Sequence, residues 1–239
     1  MPNPSEPNSS APASSPPAHA APHYYEQSSS SGMHMKLGDW IDREEKVPDL
    51  SRRAAINGIF QNGTLGPDDP GGLVIEPHER YDTLVLEKNP TNLPAAFTSG
   101  LGALVVREPL AQMIEELDPS LHQMWPVRVL RSQRRRGVTS EPYEGDWFVL
   151  VVTERRDVMD PEHSAARPWG IEGLPAYYDL ATYKKDVALR ADALPDDINL
   201  WRDTKLVGGL FASGRFQTEL RRRKLKFISG FKAKVSGKV

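Results

Sequence analysis

Six consecutive apolar residues, Trp147 to Val152, constrain the fold of this chain more than any other feature. The run lies between Asp146 and Thr153 and shows no alternation, so it predicts a central strand buried on both faces. Upstream, Trp125, Val127 and Val129 alternate with Pro126, Arg128 and Leu130. Pro126 cannot donate to a ladder, which places that strand near a sheet edge. The polar segment Arg131 to Gly145 connects the two and carries Arg134, Arg135 and Arg136 ahead of Gly137, a basic cluster at a loop tip.

Helical spacing is clearest at Leu110, Met113, Ile114 and Leu117, which share one helix face. Pro109 suits the start of that helix and Asp118-Pro119 stops it. Short strands are expected at Tyr81 to Glu87, Leu104 to Val106, Asp186 to Ala191, Asn199 to Trp201 and Leu206 to Ala212. The Gly- and Pro-rich stretches Asn62 to Pro70 and Asn89 to Gly102 read as loops. Ser213 is an N-cap for a helix bearing Phe216 and Leu220, and a last strand alternates Phe231, Ala233 and Val235 with Lys232, Lys234 and Ser236. At an offset of 106 residues, Leu104, Val106, Leu110 and Ile114 correspond to Leu210, Ala212, Phe216 and Leu220, which suggests two related strand-helix-strand units. Common strand-helix grammar produces such matches too. The fold class is α+β, with a mostly antiparallel or mixed sheet and a few helices.

The division into domains follows from composition. Of the first 32 residues, 21 are Pro, Ser or Ala, without apolar periodicity. Residues 1–36 therefore read as a disordered arm and 37–239 as a single domain, with His34-Met35 at the seam. Tyr24-Tyr25 in that arm are either incidental aromatics or a short docking element. No basic leader with an apolar core follows Met1 and no run reaches membrane-spanning length, so the cytoplasm is the expected location, without a membrane partner. With no cysteine, disulfides, thiol catalysis and thiolate metal sites are excluded. The net charge of −2 is unevenly spread: residues from Arg202 onward carry +9 and the preceding ones −11. That split either makes two faces of opposite potential, suited to steering a macromolecular partner, or is neutralised within the fold.

Motifs for chemistry are incomplete. Gly209 to Gly214 has phosphate-loop spacing, but Arg215 and Phe216 stand where lysine and a hydroxyl are needed. Gly100-Leu101-Gly102 precedes a strand where a dinucleotide fingerprint follows one. No Gly-x-Ser-x-Gly elbow occurs, and His78, His122 and His163 have no paired-ligand spacing. Asp157, Asp160, Glu162 and His163 form the densest polar cluster, which reads as a solvated loop or as the centre of a metal-assisted enzyme. No cofactor or metal is expected and no catalytic residue is assigned. Trp169, Tyr177 and Tyr178, flanked by Pro168, Gly170, Gly173 and Pro175, offer aromatic anchors for a protein interface, or else cap the core. The interface candidates are therefore Trp169, Tyr177, Tyr178, Asp157, Asp160 and Glu162.

The strand ending in Phe211-Ala212-Ser213, the helix after it and the strand containing Phe231 resemble the closing segment of the eleventh immunity family of bacterial polymorphic toxin systems. Leu104 to Val129, with its Trp125-Pro126-Val127 return, is similar to an earlier segment of that family. The likeness covers roughly residues 72 to 236. It implies an α+β immunity protein, not an enzyme, whose partner is a cognate toxin that it neutralises by occluding an active or target-binding surface. The alternatives are a nucleic-acid-associated protein using Arg134 to Arg136 and the basic C-terminal region, and the metal-assisted enzyme centred on Asp157 to His163; nucleic acid is not expected as the main partner.

Overall fold

The computed structural model describes residues 22–26, 39–40, 46–62, 74–86, 90–132, 141–169, 177–180, 187–206 and 208–237. In chain order the elements are β1 (His23–Glu26), β2 (Asp39–Trp40), α1 (Leu50–Asn62), β3 (Thr83–Val85), β4 (Ala96–Thr98), β5 (Leu104–Arg107), α2 (Glu108–Leu117), β6 (Gln123–Leu130) and β7 (Trp147–Val151). They continue with β8 (Arg155–Arg156), β9 (Ala166–Trp169), β10 (Tyr177–Leu180), β11 (Ala188–Arg190), β12 (Leu200–Asp203), β13 (Gly209–Ala212), α3 (Gly214–Arg222), β14 (Gly230–Lys232) and β15 (Lys234–Ser236). A six-stranded sheet runs β2-β3-β6-β7-β5-β4 and a five-stranded sheet runs β14-β1-β13-β12-β8. Two ribbons, β9 with β10 and β11 with β15, complete the strands among the described residues. Parallel and antiparallel pairs mix in both larger sheets, so the class is α+β with mixed sheets.

The apolar run at Trp147 lies at the centre of the larger sheet. Trp147, Val149 and Val151 enter one apolar cluster with Ile56, Ile59 and Phe60 of α1, while Leu150 and Val152 enter a second cluster on the other face. That second cluster is common to both sheets. It joins Leu104 and Val106 of β5 and Leu110, Met113, Ile114 and Leu117 of α2 to Leu200 of β12, Leu210 and Ala212 of β13, and Phe216 and Leu220 of α3. The far face of the smaller sheet buries Trp201 and Phe211 in a third cluster, their rings stacked at 6.1 Å. Both sheets are thus covered on both faces, as continuous apolar strands demand.

Local signals explain the two helices of the shared cluster. Pro109 sits in the first turn of α2, and all four expected apolar residues of that helix are buried. Ser213 caps α3 by accepting the Phe216 N–H at 3.1 Å. Between them runs a buried polar chain. The Asp118 carboxylate accepts the backbone N–H groups of Asn199 (2.8 Å) and Leu200 (2.9 Å) and the Asn199 side-chain amide (3.0 Å). Asn199 Oδ1 in turn accepts from the Ser213 hydroxyl at 2.8 Å. The end of one helix is thereby tied to the start of the other.

Several expectations need correction. Tyr25 does not belong to a disordered arm: β1 lies inside the smaller sheet, and Tyr25 is 4% exposed within the shared cluster. β6 is internal, not an edge; Pro126 falls in the stretch of β6 that β3 does not pair, so its missing N–H interrupts no ladder on that side. The loop expected up to Gly102 contains β4, whose Phe97 packs edge-on against Trp147 at 5.6 Å. The closing alternation from Phe231 is divided at Ala233. That residue donates to Pro22 O (3.0 Å) and Lys234 donates to Val187 O (2.8 Å), so β14 joins β1 while β15 joins β11. Arg134 to Arg136 lie outside the described residues.

The offset of 106 reaches beyond the helices. In the larger sheet β7 lies between β5 and β6; in the smaller, β1 lies between β13 and β14, antiparallel to both neighbours in each case. Met124 and Pro126 pair with Leu150 and Phe148, and their counterparts Gly230 and Lys232 pair with Tyr25 and His23. The two units therefore share strand order and register, with Tyr25 standing where Leu150 stands.

Burial alone pushes the Asp118 carboxyl upward, but His122 and the Asn199 donors outweigh it and hold the pKa below the ordinary aspartate value. The stability this confers is present above the unfolded-state pKa and is lost as pH falls through the lower folded value. We expect Asp118→Ala to leave buried N–H groups without an acceptor and to cost about 3 kcal/mol in urea unfolding at neutral pH. The loss relative to wild type should shrink in acid; a loss that stays constant from neutral to strongly acidic pH contradicts the assignment.

Candidate functional site

The candidate interface residues follow β8 directly, and two carboxylates with different tasks shape the turn that holds three of them. Asp203, at the end of β12, is buried and accepts four backbone N–H groups. Val158 (3.0 Å) and Met159 (2.8 Å) donate to one oxygen, Lys205 (2.7 Å) and Leu206 (3.0 Å) to the other. Desolvation still raises its pKa despite those donors. This fixes the backbone entering the turn.

Asp160 fixes the turn itself. One oxygen accepts from Glu162 N (3.1 Å) and His163 N (3.3 Å); the other lies 2.8 Å from His163 Nδ1 and accepts from the Ser236 hydroxyl at 2.5 Å. Its backbone N–H donates to Ala188 O at 2.9 Å, and the Ser164 hydroxyl closes the loop by donating to Asp160 O at 2.6 Å. The hydrogen bond from Ser236, followed by those from His163, lowers the Asp160 pKa against the opposing effect of burial. Asp160, one of the candidate interface residues, is 9% exposed and organises the loop from within.

Asp157 and Glu162 are exposed. Asp157 is ion-paired to Lys205 (2.9 Å) and Arg190 (3.5 Å), cations 48 and 33 residues away that no local pattern links to it. Ser164 and Ala165 then lead straight from the turn into β9. There Trp169 lies opposite Tyr177, and Pro168 opposite Tyr178, in the antiparallel ribbon with β10. All three aromatic candidates are thus brought to one end of a single ribbon that continues the acidic turn.

The alternative centres are weaker. Among the described residues no three His, Asp or Glu side chains gather as they would around a metal ion, and the Asp157 and Asp160 carboxylates are turned to different partners. The basic C-terminal part is partly neutralised: Arg223 pairs with Glu219 and with Glu116 of α2, and Arg222 pairs with Glu219 at 2.7 Å. Gly209 to Gly214 forms β13 and the start of α3, with Gly214 buried under the core instead of open to a phosphate. No described helix is long and apolar enough to cross a membrane.

These features define an α+β protein with a doubly covered pair of sheets and an acidic turn from which the chain passes into a two-stranded ribbon. Residues 34–237 match the Immunity protein family (Imm11), and the chain belongs to that family, whose members are typically non-enzymatic and imply a cognate toxin as partner. No curated protein matches the chain.

Two substitutions separate the roles within the turn. Asp160→Ala should cost about 2 kcal/mol by freeing backbone and Ser236 donors, with the penalty fading as pH falls through the lowered Asp160 pKa. Asp157→Ala removes only solvent-exposed ion pairs and should stay within about 1 kcal/mol of wild type. Chemical denaturation of both variants at neutral pH checks the ranking, and equal losses contradict it.

Proposed function

We propose that this chain binds its cognate toxin and neutralises it by covering the toxin's active or target-binding surface. The observation carrying this reading is the continuity of the Asp157–His163 turn with the β9–β10 ribbon, on a base held rigid by Asp160 and Asp203. A preformed surface loses little conformational freedom on binding, which is the condition for tight occlusion without chemistry. Aromatic residues at Trp169, Tyr177 and Tyr178 serve as anchors, because large, stiff side chains supply contact area at low entropic cost. Glu162, exposed on the turn, gives the rim negative charge and accelerates encounter with a basic toxin. The overall acidity of the residues before Arg202 supports that choice of partner.

Co-expression with a toxin encoded beside this chain tests the reading. Wild type should rescue growth and form a stable complex. Replacing Trp169, Tyr177 and Tyr178 together by Ala should weaken binding at least 100-fold, or about 3 kcal/mol, and abolish rescue while leaving the unfolding midpoint near wild type. Rescue by a variant that no longer binds the toxin rules out occlusion.

A further inference from the structure

The two related units differ in where their third strand comes from. In the larger sheet, the place between β5 and β6 is filled by β7, the next strand in the sequence. In the smaller sheet, the matching place between β13 and β14 is filled by His23–Glu26, and 192 residues separate Tyr25 from Gln217, whose side-chain amide donates to its hydroxyl. The family match begins at residue 34, so both walls of this groove lie inside the matched region and the strand that fills it lies outside. Among the described residues, β1 is the one strand paired with β14.

The occupant shows what the groove selects. Tyr25 is buried with its ring edge-on to Phe227 at 5.0 Å, and Phe227 in turn meets Phe216 at 5.4 Å. This makes a pocket for one aromatic side chain. Backbone hydrogen bonding on both sides makes the rest of the recognition independent of sequence, as in β-strand addition to an exposed sheet edge. Exposed Lys232 lies opposite His23 in register, and the charge of exposed Arg221 acts on the Tyr25 hydroxyl, so the rim is positive. The native strand ends in Glu26.

We propose that the space between β13 and β14 is a strand-acceptor groove, closed in the free protein by the chain's own His23–Glu26 and occupied, in the complex, by an extended toxin segment. That segment runs antiparallel to both walls, buries an aromatic side chain in the Tyr25 pocket and places acidic residues by Lys232 and Arg221. The inference rests on the toxin-binding reading above and adds a second contact to it. The chain's own strand, tethered at an effective concentration on the order of millimolar, must be displaced first and therefore acts as a gate.

Because the chain has no cysteine, His23→Cys with Lys232→Cys introduces a single cross-strand pair that locks β1 in place on oxidation. In the full-length double variant, the reduced form should bind toxin and oxidation should weaken binding at least 100-fold, with an unfolding midpoint equal to or above that of the reduced form. Separately, Tyr25→Ala should speed toxin association about 10-fold by loosening the gate, an effect that a purely structural tyrosine does not produce. Equal binding by oxidised and reduced forms overturns the groove while leaving occlusion by the ribbon standing. Failure of wild type to bind toxin removes both readings. An oxidised form that loses only a concentration-dependent self-association, with toxin binding unchanged, assigns the groove to a second copy of this chain and overturns the proposal.

Discussion

Burial of one apolar cluster between the two sheets is the constraint from which the remaining architecture follows. Leu150 and Val152 from one sheet, Leu200, Leu210 and Ala212 from the other, and the inner faces of α2 and α3 all depend on the same excluded volume. Apolar contact is not directional, so it does not by itself fix how the halves meet. The hydrogen-bonded chain Asp118, Asn199 and Ser213 supplies that direction, because a one-residue slip leaves several buried donors without acceptors. Arg202 adds a second tie. Its guanidinium, fully buried and with its pKa pushed down to about 9 mainly by desolvation, donates to Val152 O beyond β7 and to Phe60 O in α1. One cation thus joins the smaller sheet to the larger and to the helix on its far face.

Charge follows the same two-unit plan. The outward face of α2 carries Glu115 and Glu116, whereas that of α3 carries Arg215, Arg221 and Arg222. The uneven charge of the sequence is neither wholly segregated nor wholly cancelled. Arg223 bridges to Glu116 where the helices meet, while the outer residues of each remain exposed. Two helices of equivalent position therefore present opposite signs, so the relatedness of the units lies in their cores and registers and not in their surfaces.

What was legible in the sequence was whatever a single element decides alone. The unbroken run at Trp147, the stripe from Leu110 to Leu117 and the cap at Ser213 each express a local rule, and each element forms where its rule places it. Elements that need a distant partner were hidden. β1 lies in a Pro- and Ser-rich segment and becomes a strand because β13 and β14 present free edges to it. β4 has only three residues, and α1 carries its buried residues Ile56, Ile59 and Phe60 after a first turn in which Leu50 is exposed and Ser51, Arg52 and Arg53 are polar. The break at Ala233 is equally non-local, since Pro22 and Val187 draw the chain toward different neighbours. Within the candidate site, the density of acidic residues was visible but their division of labour was not. Asp160 and Asp157 differ only in what surrounds them, and Ser236, Arg190 and Lys205 all come from far along the chain.

That division bears on how an immunity protein can act without catalytic groups. A surface that blocks a toxin must already have its shape before the encounter, and polar loops do not hold shape unless their backbone donors are engaged. Here the engaged carboxylates are the buried ones, Asp203 and Asp160, which together take six backbone N–H groups around the turn. Their neighbours Asp157 and Glu162 are left exposed, Asp157 in surface ion pairs with Lys205 and Arg190 that contribute little to stability. Engaged and exposed acidic residues thus alternate along one short segment, from which the chain passes into β9.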